Sequence, residues 1–303
     1  PATIKRLHKT KDSIKRLVIP GMFFEDMGIT YLGPVNGHDC SKLIQTFQEA
    51  KKISGPVLVH VKTEKGRGYE PAMRHPARFH GTAAFDLENG LPLSSGGKAN
   101  YTDIFSTVMR KFGDRDERVV AVTAAMPDGT GLKRFRNMFP ERFFDVGIAE
   151  EHAVTFAAGL ALGGMIPVVA IYSSFLQRAV DQMIEDVCLQ NLHVIFAVDR
   201  AGLVGSDGET HQGCFDLTYL SMIPNMTVMA PKNKWELSDM MKFAVNYDGP
   251  IAIRYPRGEA YDGLEEYRAP VLKGRSEMIY EGNSIALLPI GSMVKTACQV
   301  YEM

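Results

Sequence analysis

The chain has 303 residues, of which 45% are hydrophobic and 23% charged, and it carries a net charge of −1 with a pI near 6.8. That composition excludes a disordered chain, and the balanced charge leaves no electrostatic footprint for nucleic acid or an anionic membrane. Domains hold roughly 100–200 residues, so two domains, or one domain with parts of others, are expected, with small molecules or other subunits as partners.

The N-terminal stretch is locally basic (Lys5, Arg6, Lys9, Lys11, Lys15, Arg16) and lacks an apolar signal core, and it reads as a solvated helix face in preference to a phosphate-contact patch. A helix is predicted over Cys40–Lys52, followed by a strand over Pro56–Lys62 (PVLVHVK). Residues 1–86 therefore read as the C-terminal part of a larger α/β domain. Leu87–Lys98 (LENGLPLSSGGK) is dense in Gly, Pro and Ser and reads as a linker.

From Val119 to Pro256 short apolar runs alternate with amphipathic stretches, the rhythm of a parallel sheet covered on both faces. Strands are predicted at Val119–Thr123, Phe143–Val146, Pro167–Ile171, His193–Val198, Thr227–Met229 and Ile251–Tyr255. A helix capped by Ser173 and Ser174 is expected over Phe175–Leu189, with Leu176, Ala179, Val180, Met183, Ile184 and Val187 on its apolar face. Another is expected over Trp235–Val245. A second domain thus spans residues 99–258, and residues 259–275 read as a further linker. Residues 276–303 read as the truncated start of a third domain, with a strand at Ser284–Leu288 and a helix at Met293–Glu302.

The apolar stretch Phe156–Tyr172 is interrupted by Gly163, Gly164 and Pro167 and is shorter than the roughly 20 residues of a membrane span. It reads as a buried helix running into a strand. Cys40, Cys188, Cys214 and Cys298 form no C-x-x-C pair and no zinc-type cluster, so reduced cytoplasmic thiols are expected.

The residues that could carry chemistry follow strand ends. In Phe143–His152 (FFDVGIAEEH), Glu150 stands where a strand gives way to a helix N-terminus. It serves there either as an acidic residue favoured by the helix dipole or as a carboxylate in an apolar pocket, able to exchange a proton with a heterocycle. Tyr172 and Phe175 (YSSF) offer either core packing or a flat face for a planar ring. Asp199-Arg200-Ala201-Gly202 ends another strand and opens a loop, Leu203–Gly213 (LVGSDGETHQG), that holds Asp207 and His211. Arg254-Tyr255-Pro256-Arg257-Gly258 ends the last, and arginine suits bidentate phosphate binding. Parallel sheets bind ligands at strand carboxyl ends, so Glu150, Tyr172, Phe175, Arg200, His211 and Arg257 should meet on one rim.

These strings, together with GPVNGHD (Gly33–Asp39), EKGRGYEPA (Glu64–Ala72), FHG (Phe79–Gly81), FDVGIAEEHAVTFAAGLA (Phe144–Ala161), YSSFLQRAVDQ (Tyr172–Gln182) and DRAGLVGSDGETHQGCFDL (Asp199–Leu217), resemble the transketolase-like thiamine-diphosphate enzymes. The DRAG and DGETHQG combination resembles the branch that joins pyruvate to glyceraldehyde 3-phosphate, with release of carbon dioxide, for isoprenoid, thiamine and pyridoxal biosynthesis. The resemblance implies a transferase and a homodimer built on a parallel-sheet α/β thiamine-diphosphate-binding fold. Its pyrimidine-binding domain would be flanked by parts of two others.

Residue by residue, the resemblance implies that Glu150 bonds the aminopyrimidine and promotes the tautomer that activates the cofactor, while Phe175 stacks on that ring. Tyr69 would contact the cofactor and His80 would lie beside the thiazolium. Arg200 and Arg257 would grip the aldehyde's phosphate with Tyr172 and Arg178 nearby, and Asp207 and His211 would stand around the reacting carbons, where Tyr172 also counts among the catalytic candidates. No GDG motif with a downstream asparagine is present, the element by which the family holds Mg2+ and the diphosphate. No metal ligand is therefore assigned within these residues, and this stretch alone is expected to be inactive. Transketolase, a 2-oxoacid dehydrogenase component and a non-catalytic partner-binding protein of the same fold are the competing readings.

Overall fold

The computed structural model describes residues 22–82, 84–93 and 97–303. The basic N-terminal run lies outside them. The chain divides into two compact units, Pro1–Gly96 and Gly97–Met303.

In the first unit two parallel strands, β1 (Thr30–Asn36) and β2 (Val57–Lys62), are joined through the helix Cys40–Ala50. Parallel strands cannot be linked by a tight turn, so a helical crossover between them is the expected connection. Asp39 starts that helix by accepting a hydrogen bond from the Lys42 amide at 2.9 Å. The predicted helix and strand are both present, each slightly shorter than expected. The preceding strand β1 went unread because Thr30–Asn36 (TYLGPVN) carries Gly33 and Pro34, residues that weaken a strand reading.

The second unit is built on six parallel strands: β3 (Val119–Thr123), β4 (Phe143–Asp145), β5 (Ile166–Tyr172), β6 (Ile195–Asp199), β7 (Thr227–Met229) and β8 (Ile251–Arg254). Their spatial order is β4-β3-β5-β6-β8-β7. Each of the six strands predicted between Val119 and Tyr255 exists, with ends moved by at most two residues. Side chains alternate between faces along every strand. Ala121, Val168, Ala170, Ile195, Ala197, Ile251 and Ile253 join one buried cluster, with residues of the helices Tyr101–Arg115, Lys133–Met138 and Lys234–Val245. Val122, Val169, Ile171, Phe196, Val198 and Ala252 join the opposite cluster, with the helices Glu150–Leu162 and Asp216–Met222. Both faces are covered, which is why these strands read as continuous apolar runs.

The segment expected as one regular helix over Phe175–Leu189 is four short pieces. An α-turn covers Ser173–Leu176, a 3-10 turn Gln177–Ala179, another α-turn Val180–Gln182, and a π-turn Met183–Cys188. Leu189 donates to the Ile184 carbonyl five residues back, which widens the turn and lets Val187 and Cys188 both face the core. Six apolar positions fit this pattern as well as a 3.6-residue period, so the irregularity was hidden. Ser173 and Ser174 do not cap it. Tyr172 occupies the cap position without a side-chain bond, and both serine hydroxyls are buried without hydrogen-bond partners among the described residues.

The strand expected at Ser284–Leu288 is absent as well. Ile285 and Leu288 are 83% and 91% exposed, and no strand pairs with them, without which a short apolar run does not hold an extended ladder. The helix Met293–Glu302 is present. Phe156–Tyr172 resolves into the second half of a helix and the strand β5, and among the described residues no helix is long and apolar enough to cross a membrane.

The packing yields a stability prediction at Gly113, inside Tyr101–Arg115. A Cβ there would lie 2.7 Å from Phe139 Cδ2 and 2.9 Å from Phe135 Cε2. Gly→Ala in a helix interior gains up to about 1 kcal/mol from propensity, whereas overpacking costs about 1–3 kcal/mol. Gly113→Ala is therefore expected to lower the melting temperature, and a rise on calorimetry would show that the two rings yield.

Candidate active site at the sheet switch point

The chain runs from β3 outward to β4 and then returns to place β5 on the other side of β3. Connections diverge there, leaving a crevice at the carboxyl ends of β3 and β5, the usual ligand position in an open parallel sheet. Tyr172 ends β5, and Met126 and Gly129 follow β3. The two ends touch: the Tyr172 amide donates to Met126 Sδ at 3.4 Å, and a Cβ on Gly129 would collide with Tyr172 Oη.

Glu150 is the first residue of its helix and is 1% exposed. Its pocket is not purely apolar. Arg178, three residues beyond Phe175, donates Nη1–H to Glu150 Oε2 at 3.0 Å, with its side chain 55% exposed. Arg178 thus stands with the carboxylate, whereas the resemblance put it near the substrate phosphate. No second hydrogen bond reaches this carboxylate among the described residues, so an acceptor oxygen remains for a ring nitrogen. Phe175 stacks on Tyr172 with centroids 5.6 Å apart and meets His211 edge-on at 5.1 Å. A buried carboxylate and an aromatic face fit an aminopyrimidine. Magnesium is different: among the described residues no group of three His, Cys, Asp or Glu side chains could hold a metal ion.

Arg200 is the most constrained side chain of the rim. Its backbone is left-handed (φ 58°), which turns the side chain back over the strand end. Its amide donates to Asp199 Oδ1 at 2.7 Å, and its Nη1 lies 2.9 Å from Asp199 Oδ2 and 2.7 Å from the Gly129 carbonyl. The guanidinium carbon sits 4.0 Å from the Tyr172 ring centroid, a cation–π contact. Asp199 is fully buried and also accepts from Thr102 Oγ1 at 3.0 Å. Burial pushes its carboxyl above the usual carboxylate range, opposed by the Arg200 charge and these bonds. Burial likewise raises the Tyr172 phenol, opposed by Arg200, so it stays a protonated donor at neutral pH.

The loop after β6 is tied at its neck by reciprocal amide bonds of 2.8 Å between Gly202 and Gly213. A Cβ on Gly213 would lie 2.6 Å from Ser173 Oγ, so the loop returns against the start of the segment after β5. Within the loop, Asp207 reaches both arginines: Oδ2 lies 3.4 Å from Arg200 Nε and Oδ1 3.2 Å from Arg257 Nη1. Behind it Arg254 Nε donates to the buried Asp216 at 2.8 Å. A cleft of about 1210 Å³ opens beside Arg200 and Arg257 toward Asn100, Thr102 and Ser106. Asn100 and Asp103 cap their own helix reciprocally, so the arginines, with Lys133 and Arg134, supply the positive charge of the cleft.

The structure therefore brings together Tyr172, Phe175, Arg200, Asp207, His211 and Arg257, with Glu150 and Arg178 joined through the same post-β5 segment. Tyr69 and His80 belong to the first unit. There the Tyr69 hydroxyl donates to the Leu87 carbonyl at 3.0 Å, its ring packs on Phe79 and Phe85, and the exposed His80 Nδ1 lies 2.5 Å from Lys65 Nζ. Asp199, Thr102 and Gly129 were not singled out from the sequence. An acid closing an otherwise apolar strand (IFAVD) was the available signal for Asp199; Thr102, acting through its hydroxyl, and Gly129, acting through its carbonyl, carried none.

Residues 97–262 match the family described as transketolase, pyrimidine binding domain, and residues 1–63 match that described as 1-deoxy-D-xylulose-5-phosphate synthase. The chain belongs to the transketolase pyrimidine-binding domain family. It is 53% identical over 301 residues to a 1-deoxy-D-xylulose-5-phosphate synthase of Lachnoclostridium phytofermentans, and 54% identical over 301 residues to 1-deoxy-D-xylulose-5-phosphate synthase 1 of Geobacter metallireducens. Each match covers 99% of this chain and 48% of the relative, so the chain spans about half the length of the curated relatives it matches. Among solved structures, a split-gene transketolase described as an inactive beta4 tetramer superposes with a TM-score of 0.59 at 28% identity, over 68% of this chain and 67% of that one.

The Asp199–Arg200 pair is open to a double-mutant cycle. Removing one partner of a buried ion pair typically costs about 3–5 kcal/mol. Asp199→Ala and Arg200→Ala are each expected to approach that loss in urea unfolding, with the double variant falling short of the sum by at least about 1 kcal/mol. Strict additivity would show that the two do not depend on each other.

Proposed function

We propose that this chain takes part in 1-deoxy-D-xylulose-5-phosphate synthesis, the thiamine-diphosphate-dependent decarboxylation of pyruvate and its condensation with D-glyceraldehyde 3-phosphate, releasing carbon dioxide. The observation that carries this reading is one sheet rim that joins a buried, arginine-paired carboxylate to a two-arginine anion site. A cofactor activator and a phosphate grip are the two functions the reaction requires. The 53–54% identity to synthases of that name supports the same reading.

Thiamine diphosphate, when bound, supplies the carbon nucleophile and electron sink for loss of carbon dioxide. Glu150 holds and returns the proton at the aminopyrimidine nitrogen, and Arg178 fixes the carboxylate that does so. Phe175 offers its ring to the pyrimidine face, and the family resemblance assigns Tyr69 and His80 to the cofactor as well. Arg200 and Arg257 bind the aldehyde's phosphate, and Tyr172 lies beneath the Arg200 guanidinium and presents a neutral hydroxyl to the crevice. His211 and Asp207 share one loop and serve proton movement at the reacting carbons. The family implies Mg2+ with the diphosphate, for which the described residues offer no donor set. A homodimeric, cytoplasmic enzyme accords with the resemblance and with four free cysteines.

Product analysis on the complete gene product, with pyruvate and glyceraldehyde 3-phosphate as substrates, tests the reading directly. Absence of 1-deoxy-D-xylulose 5-phosphate, with thiamine diphosphate and magnesium supplied, would overturn it. Glu150→Gln is expected to lower turnover by roughly 10²–10⁴, the range of a general acid–base group. Its melting temperature should move by less than about 4 °C, which is what 1 kcal/mol produces. Near-normal turnover would remove Glu150 from the mechanism.

Alanine at Arg200 or Arg257 is expected to raise KM for glyceraldehyde 3-phosphate about tenfold or more, since a bond to a charged group is worth roughly 1.5–3 kcal/mol. KM for pyruvate should change much less. An equal loss with unphosphorylated glyceraldehyde would show that neither arginine reads the phosphate.

A further inference from the structure

The Asp207 carboxylate stands where a ligand phosphate would have to stand, between the guanidinium groups of Arg200 and Arg257. The fit is imperfect. Arg200 Nε and Asp207 Oδ2 are both buried and approach to 3.4 Å, yet neither has a hydrogen-bond partner among the described residues. Arg200 cannot turn to improve this contact. Its Nη1 is held by Asp199 and the Gly129 carbonyl, and its guanidinium lies on the Tyr172 ring. Asp207 can move more easily, because it rides on a loop closed at the neck by Gly202 and Gly213. Near its tip Gly205 and Gly208 adopt φ of 56° and 86°, with no atom within 4 Å of a Cβ at either.

We propose that Asp207 is an internal counter-anion of the Arg200–Arg257 pair, which any ligand of that pair must displace and which thereby reserves the pair for phosphate. This rests on the phosphate reading given above. A carboxylate tethered by a short loop acts at an effective concentration in the millimolar range or above. A free carboxylate offers the arginines only what Asp207 already gives, so it has to outcompete a tethered copy of itself and gains nothing. A phosphate dianion brings a second charge and a third oxygen, enough to satisfy Arg200 Nε and Arg257 together. The penalty is the same for both anions, and it acts as a threshold that phosphate passes and a carboxylate substrate such as pyruvate does not. The acceptor site is thus kept clear of the donor substrate.

The test titrates inorganic phosphate and, separately, acetate into the complete gene product loaded with thiamine diphosphate and magnesium, by calorimetry. Asp207→Asn keeps the side-chain shape and removes the charge; Asp207→Ser serves as a second variant, and circular dichroism establishes that each is folded. Both variants are expected to bind phosphate about tenfold more tightly than the parent, the scale of one lost charge-assisted contact, and to bring acetate binding into the measurable range. Weaker or unchanged phosphate binding in folded Asp207→Asn and Asp207→Ser would overturn the inference. Arg257→Ala separates that failure from failure of the underlying reading. If it abolishes phosphate binding while the Asp207 variants do not tighten it, the phosphate site stands and only the counter-anion role falls. If phosphate binding survives Arg257→Ala, the site itself is misassigned and the inference falls with it.

Discussion

A carboxylate with no exposure, Asp199, closes a strand of otherwise apolar residues, and the rim is organised around satisfying it. Burying an unpaired charge is prohibitively costly, so the chain must bring donors to that point. It brings three: the Arg200 amide, the Arg200 guanidinium and the Thr102 hydroxyl. Each comes with a structural consequence. The amide bond accompanies the left-handed turn at Arg200, the guanidinium is laid across the end of β5, and Thr102 ties the first turn of Tyr101–Arg115 to the end of β6. A single buried anion thus fixes the direction of the side chain that faces the cleft.

Two of the site's carboxylate–guanidinium pairs, Asp199–Arg200 and Glu150–Arg178, contrast in rigidity. In Asp199–Arg200 the carboxylate is fully buried and the arginine, 12% exposed, is pinned on three sides, which makes a rigid cation at the rim. In Glu150–Arg178 the carboxylate is buried but the arginine is half exposed on an irregular segment. Water screens that pair, so Arg178 orients Glu150 without holding it rigidly. Wide π-turns carry an extra residue per turn, and the one at Met183–Cys188 lets the segment bury Val187 and Cys188 while Arg178 still reaches back to the helix start. The same burial pushes the Cys188 thiol up to about 12, so this cysteine acts as a packed apolar group.

Much of the fold was legible because its physics is periodic. Strands such as VVAVT, IPVVAIY and IFAVD are buried on both faces and announce themselves as unbroken apolar runs. The rim was legible for a related reason: in a parallel sheet every strand carboxyl end faces the same way, so Glu150, Tyr172, Arg200 and Arg257 were bound to meet once the strands were placed. Single contacts were not legible. That Arg178 would pair with Glu150 depends on a broken helix whose turns no periodic pattern reveals. Ser173 and Ser174, apt caps by residue type, became buried hydroxyls because the chain enters the helix one residue early, at Tyr172. The apolar run at Ser284–Leu288 had strand composition without a partner strand, and composition does not supply one.

The arrangement behind the loop explains how one segment can be both anchored and movable. Arg254, at the end of β8, is bonded to the buried Asp216, and Tyr219 donates its hydroxyl to the Ser173 carbonyl at 3.0 Å. These contacts hold the chain just beyond the loop to the ends of β8 and β5, and the Gly202–Gly213 bonds close the neck. Everything past the neck projects from a fixed base, so motion of Asp207 need not disturb the sheet or the Asp199–Arg200 receptor. Local opening is drawn from segments with few buried apolar contacts; beyond the buried Val204 the loop runs polar, and Gly205 and Gly208 have open space where a Cβ would stand. A stiff cation and an acid carried between those two glycines are what an exchange between an internal and an incoming anion requires.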